Sequence, residues 1–123
     1  MALPTIQSKS AVSVDVRDGR ALDERIAAAL DGASLDLAVH AAGVLHLRPV
    51  EALTDDDFRS CFDVNVLGSA HLVQATLRHL AATRGRLGLV VSITGLLALP
   101  GGFGAYAASK WGVEGFTQTL AAE

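Results

Sequence analysis

Three short apolar runs of strand length alternate along the chain with three stretches whose apolar residues recur at helical spacing. Residues 11–16, Ala-Val-Ser-Val-Asp-Val, alternate and are rich in β-branched side chains, which predicts a strand. Asp18-Gly19 punctuates it, and Leu22, Ile26, Ala29 and Leu30 then share one face of a helix that Asp31-Gly32 ends. Residues 35–40 read as a second strand, closed by Gly43. Thr54 opens the next helix as its cap, with Asp57 three residues later placed to reach back, and with Leu53 and Phe58 spaced as a hydrophobic staple. Phe58, Phe62, Val66, Val73, Leu77 and Leu80 carry this helix over 54–82 until Gly85 stops it, and the two Phe read as core rather than a ligand-stacking pair. Residues 87–93 are apolar on both faces, the pattern of a buried strand in a parallel sheet. A Gly-rich loop over 95–104 leads to a last helix, 105–123.

The order β-α-β-α-β-α implies a parallel sheet with right-handed crossovers, flanked by helices in a three-layer α/β arrangement. Composition narrows the picture. The 123 residues are half apolar and 19% charged, one domain's worth of chain and too apolar for disorder. A net charge of −3, with ten Lys and Arg scattered along the chain, is a poor match for nucleic acid. The single Cys61 excludes an internal disulfide and a Cys-based zinc site, and reads as a small buried residue. His40, His46, His71 and His79 show no ligand pairing, and Asp55-Asp-Asp57 reads as helix-start charge, so no metal site is expected. The N-terminus carries no basic start followed by an apolar run, and the expected location is cytoplasmic. Residues 87–109 are uncharged, but Gly88, Gly95, Gly101, Gly102, Gly104 and Pro100 interrupt them; a strand and loop explain the stretch better than a membrane span.

Candidate chemistry gathers at Tyr106-Ala-Ala-Ser-Lys110. Tyr and Lys four apart share a helix face. A free tyrosine has a pKa of about 10, and a neighbouring ammonium favours its phenolate. Such a tyrosine can exchange a proton with an alcohol or carbonyl oxygen. By spacing alone the pair is equally a partly buried Tyr beside a surface Lys. Its context adds Ser92 at the end of the preceding strand, with Thr94 as a second hydroxyl. It also adds Asn65, the only Asn in the chain, inside the long helix and flanked by Val64 and Val66.

Taken in order, Asp15-Val16, His40-Ala-Ala-Gly43, Asn65-Val-Leu-Gly68, Ser92 before Gly95, and Tyr106-Ala-Ala-Ser-Lys110 resemble the motifs of the short-chain dehydrogenase/reductases. The resemblance covers nearly the whole chain from about residue 11 and implies a partial Rossmann-like sheet. It also implies roles. Tyr106 is the acid/base; Lys110 lowers its pKa and binds the nicotinamide ribose; Ser92 hydrogen-bonds the substrate oxygen; Asn65 holds a water near Lys110. Asp15 and Val16 border the adenine pocket, and Ala42 and Gly43 lie against the cofactor, NAD or NADP. The implied partners are a small alcohol or ketone and a second copy of the chain, docked through helices 54–82 and 105–123, with neither nucleic acid nor membrane involved.

Three departures qualify the match. The family's Gly-rich phosphate turn after its first strand is absent, and Gly101-Gly-Phe-Gly104 follows the wrong strand to replace it. Ser92 lies fourteen residues before Tyr106, one more than is usual, with room for the extra residue at Gly101-Gly102. His40 stands where Asn is usual. In the family's strand order 3-2-1-4-5-6-7 the chain carries only strands 3, 4 and 5. Residues 1–123 therefore read as a single partial dinucleotide-binding and catalytic domain, truncated at both ends. The expected activity is NAD(P)-dependent interconversion of an alcohol and a carbonyl. The alternative is an inactive remnant that only dimerises or docks.

Overall fold

The computed structural model describes residues 11–123. Helix α1 (Gly19–Leu30) starts where the Asp18 carboxylate accepts the Ala21 N–H at 2.9 Å, and ends at Asp31 in the left-handed region. Strand β1 (Leu37–His40) follows. A full capping box at Thr54 opens α2 (Asp55–Cys61), with the Asp57 carboxylate accepting from the Thr54 N–H and hydroxyl while Thr54 accepts the Asp57 N–H. Without a break the helix widens into a π-helical stretch, Phe62–Leu67, and tightens again as α3 (Gly68–Thr83). Strand β2 (Arg86–Leu89), a 3-10 turn (Ile93–Gly95) and α4 (Gly104–Ala122) complete the order.

Strands β1 and β2 pair in parallel, Leu37 opposite Arg86 and His40 opposite Leu89. Ala38 and His40 are buried and, with Leu87 and Leu89 beside them, face the helices; a groove between β2, α3 and α4 is lined by Leu77, Leu87, Leu89 and Leu120. Leu37 and Val39 point the other way and are 58% and 54% exposed. The α/β class and the parallel pairing agree with the sequence. Two layers, sheet and helices, stand in the described residues, and the opposite sheet face is bare.

Several expectations need correction. Residues 11–16 form no strand: a strand exists through its ladder, and among the described residues no strand pairs with them. Strand β2 stops at Leu89, and with one edge unpaired among the described residues it is not the centre of a buried sheet; Val90 and Ile93 are 49% and 59% exposed. Helix α3 ends at Arg84, which takes the left-handed conformation, while Gly85 is needed for space: a Cβ there would lie 2.8 Å from the Asp36 carbonyl oxygen. Phe58 and Phe62 face outward, 40% and 39% exposed, while Val73 and Leu80 of the same stripe are buried. One helical stretch thus presents two apolar faces. Residues 87–109 hold a strand end, a turn and a loop, and among the described residues no helix is long and apolar enough to cross a membrane.

Candidate active site

Among the described residues the buried interior holds as many polar side chains as apolar ones, and five of the polar set, His40, Asn65, Ser69, Ser109 and Lys110, gather between the end of β1, the start of α3 and α4. Such groups are tolerated inside only when hydrogen-bonded. Asn65, fully buried in the π-helical stretch, meets that condition completely. Its amide donates to the Val44 carbonyl at 3.1 Å and to Ser109 Oγ at 2.8 Å, and its Oδ1 accepts the Val44 N–H at 2.8 Å. Ser109 in turn donates to the Tyr106 carbonyl at 2.7 Å. Asn65 thereby ties the loop after β1 to the first turns of α4. Cys61 is buried beneath the same loop, and burial pushes its thiol pKa up.

Helix α4 carries Tyr106 and Lys110 one turn apart. The Lys110 ammonium lies 5.7 Å from the centre of the Tyr106 ring and donates to the Val90 carbonyl at 3.0 Å. Only 5% of Lys110 is exposed, and this burial lowers its pKa. The Ala42-Gly43 turn is exposed above this group. A Cβ on Gly43 would stand 3.3 Å from Asn65 Oδ1 and 3.7 Å from Lys110 Nζ, so the bare backbone leaves an open cradle over both. The loop carrying Ser92 presses onto the same helix, where a Cβ on Gly95 would meet the Lys110 carbonyl oxygen at 2.9 Å. Ser92 is half-buried and Thr94 is 3% exposed; the Ser92 Oγ accepts the Thr94 N–H at 3.3 Å and the Thr94 hydroxyl at 3.1 Å.

His40 does more than the sequence pattern alone suggests. Its Nδ1 lies 3.1 Å from Ser69 Oγ, and Ser69 donates its own proton to the Asn65 carbonyl at 2.6 Å. His40 must therefore donate from Nδ1, which leaves Nε2 as a bare acceptor, buried and without a partner among the described residues. Burial, then the charge of Lys110, lowers its pKa. The one available signal was the His itself, standing where the family pattern has Asn. Asp57 also does more than begin a helix: it is buried, Arg48 Nε lies 3.2 Å from it, and His46 stands 3.6 Å away.

Asp15 stands apart from this cluster, while Val16 reaches Gly68 beside His40. Asp15 lies in an open cleft with Arg20, His71 and Gln74, and its hydrogen bonds to Arg17, one of them an ion pair of 2.6 Å, hold its pKa down at about 2. Val16 is fastened to α3: its carbonyl accepts from His71 at 2.8 Å, and its methyl fills the space above Gly68. The fold thus brings Asn65, Tyr106, Lys110 and Gly43 together, carries Ser92 on a turn packed against α4, and leaves Asp15 at a separate surface.

The family model described as short chain dehydrogenase matches residues 4–123. The chain belongs to this family. Human 17-beta-hydroxysteroid dehydrogenase type 1 is 35% identical over 115 residues, covering 93% of this chain and 34% of that protein. Oxidoreductase UcpA of Escherichia coli is 33% identical over 116 residues, covering 93% of this chain and 44% of that protein. The structure of carveol dehydrogenase from Mycobacterium avium in complex with NAD superposes with a TM-score of 0.82 at 34% identity, covering 89% of this chain and 40% of that one. This short-chain family member therefore spans less than half the length of these relatives.

Proposed function

We propose that this chain is the central, catalytic part of a longer NAD- or NADP-dependent oxidoreductase that interconverts an alcohol and a carbonyl on a small molecule. The observation that carries the reading is the meeting of Tyr106, Lys110 and Asn65 beside the bare Gly43 turn, with the turn that holds Ser92 packed on the same helix. That turn suits a bound cofactor, since any side chain at residue 43 would crowd Asn65 and approach the ammonium. Ala42, Gly43, Tyr106 and Lys110 would hold the nicotinamide-ribose end, and Asp15 and Val16 the adenine end. The cofactor, when bound, supplies or accepts the hydride. Tyr106 exchanges a proton with the substrate oxygen, and Lys110 sets a positive charge beside it. Ser92 holds the same oxygen by a hydrogen bond. Both Asn65 amide protons are engaged by protein, while its Oδ1 accepts only the Val44 N–H and faces the Gly43 position beside the Lys110 ammonium, so that oxygen keeps an acceptor position for a water near Lys110. Carveol dehydrogenase is solved with NAD and another structural neighbour, ElxO, with NADP, which supports either nicotinamide cofactor.

The test is the protein expressed with its flanking coding sequence, assayed for NAD(P)(H) turnover on a panel of alcohols and ketones. Tyr106→Phe is expected to abolish turnover and leave cofactor binding largely intact, because the ring still packs and only the proton-exchanging oxygen is gone. Lys110→Met is expected to damage both. Near-normal activity of Tyr106→Phe would remove the assignment. A second reading, a fragment that only associates, draws support from Phe58, Phe62 and Trp111 exposed on α2, the π-helical stretch and α4; an inactive extended protein with a well-formed dimer would favour it.

A further inference from the structure

We propose that Thr94 is a positioning residue for Ser92, forcing the Ser92 hydroxyl to act as a donor; this rests on the reading of Ser92 as the hydroxyl that holds the substrate oxygen. Two donors from one residue converge on Ser92 Oγ, the Thr94 N–H at 3.3 Å and the Thr94 hydroxyl at 3.1 Å. The direction of the second bond follows from burial. Thr94 is 3% exposed, and among the described residues its hydroxyl has no other partner. Were Ser92 the donor, the Thr94 proton would be left buried without an acceptor, a costly arrangement. With Thr94 donating, both acceptor positions of the Ser92 oxygen are filled. The Ser92 proton must then point away from Thr94, toward whatever occupies the half-exposed side of this residue.

A hydroxyl so held cannot rotate to accept, and a bond it accepts strengthens the one it gives. It is therefore set to donate to a carbonyl oxygen or a developing alkoxide rather than to compete for the Tyr106 proton. Gly95 fixes the other end of this device. Its lack of a Cβ lets the turn holding Ser92 and Thr94 sit against the Lys110 backbone, so the hydroxyl pair rides on the helix that carries Tyr106.

Steady-state kinetics of the full-length enzyme on a small secondary alcohol and its ketone provide the test, with Ser92→Ala, Thr94→Val, Thr94→Ser and the double variant Ser92→Ala/Thr94→Val. The expected result is a kcat about tenfold lower in Thr94→Val, the rate factor of one ordinary hydrogen bond, with an unchanged KM for the cofactor. Thr94→Ser should restore the rate, and Thr94→Val should cost nothing further once Ser92 is Ala. If Thr94→Val fails to fold, Thr94→Ala replaces it in each comparison. Full activity of Thr94→Val in an enzyme that Ser92→Ala cripples overturns the proposal. So does a loss that Thr94→Ser does not recover, or one that adds in full to Ser92→Ala, since Thr94 would then only fill space. A silent Ser92→Ala overturns instead the reading of Ser92 itself.

Discussion

His40 shows how one side chain can link folding to the site. Its imidazole is buried, donates from Nδ1 through Ser69 to the Asn65 carbonyl, and keeps a lowered pKa. The folded chain thus resists a proton that the unfolded chain accepts near the ordinary value of 6.5. Above that value neither state is protonated and the stability is complete; as pH falls from about 6.5 toward the lower folded value, the unfolded state gains protons first and stability drops. Urea midpoints at about pH 8 and about pH 5.5 should therefore differ more for the wild type than for His40→Asn. An equal pH dependence in both would mean that His40 is not the titrating group.

The turn between β2 and α4 is an element decided by a single hydrogen atom. Gly95 has an ordinary conformation and is required because its Cα approaches α4 too closely for a side chain: a Cβ would meet Val91 at 2.8 Å and the Lys110 carbonyl at 2.9 Å. Backbone cannot step aside as a flexible side chain can. Gly95→Ala is expected to destabilise the chain by about 1–3 kcal/mol, as overpacking does. It should also displace Ser92 from Lys110, lowering turnover in the full-length enzyme by more than the stability loss explains. Thermal melts beside kinetics would separate the two effects, and a variant that melts and turns over as wild type would contradict the contact. The π-helical stretch acts at the same scale, turning Asn65 inward although Asn is a poor residue for a helix interior.

For the molecule as a whole, the unsatisfied surfaces matter most. Among the described residues both outer edges of the two-stranded sheet are open, Leu37 and Val39 stand bare on one face, and Phe58, Phe62 and Trp111 on the outer helices. Open strand edges and contiguous apolar patches drive association. Sedimentation of the 123-residue chain at several concentrations should show oligomers or aggregates; a concentration-independent monomer would refute this. Calorimetric titration of the same chain with NAD(H) and NADP(H) should show weak binding or none, because the Gly-rich start of α4 at Gly101 to Gly104 does not follow the strand that carries the family's phosphate turn. Tight saturable binding would reveal a phosphate site elsewhere.

The local patterns of the sequence were enough for the helices and the Thr54 capping box, because caps and helical periodicity act between residues close in the chain, while the candidate set Asn65, Ser92, Tyr106 and Lys110 rested on the resemblance to the family's motifs. Whether residues 11–16 would be a strand was not legible, since a strand's hydrogen bonds belong to its neighbour. Nor was the outward turn of Phe58 and Phe62, for periodicity gives a stripe without saying which part of it the sheet covers. Ser92 and Thr94 are both hydroxyls near the family spacing, and only the tertiary packing buries Thr94 while leaving Ser92 half-exposed. The bond from His40 through Ser69 to Asn65 spans residues 29 and 4 apart, and the first of these separations is closed only when α3 lies on β1.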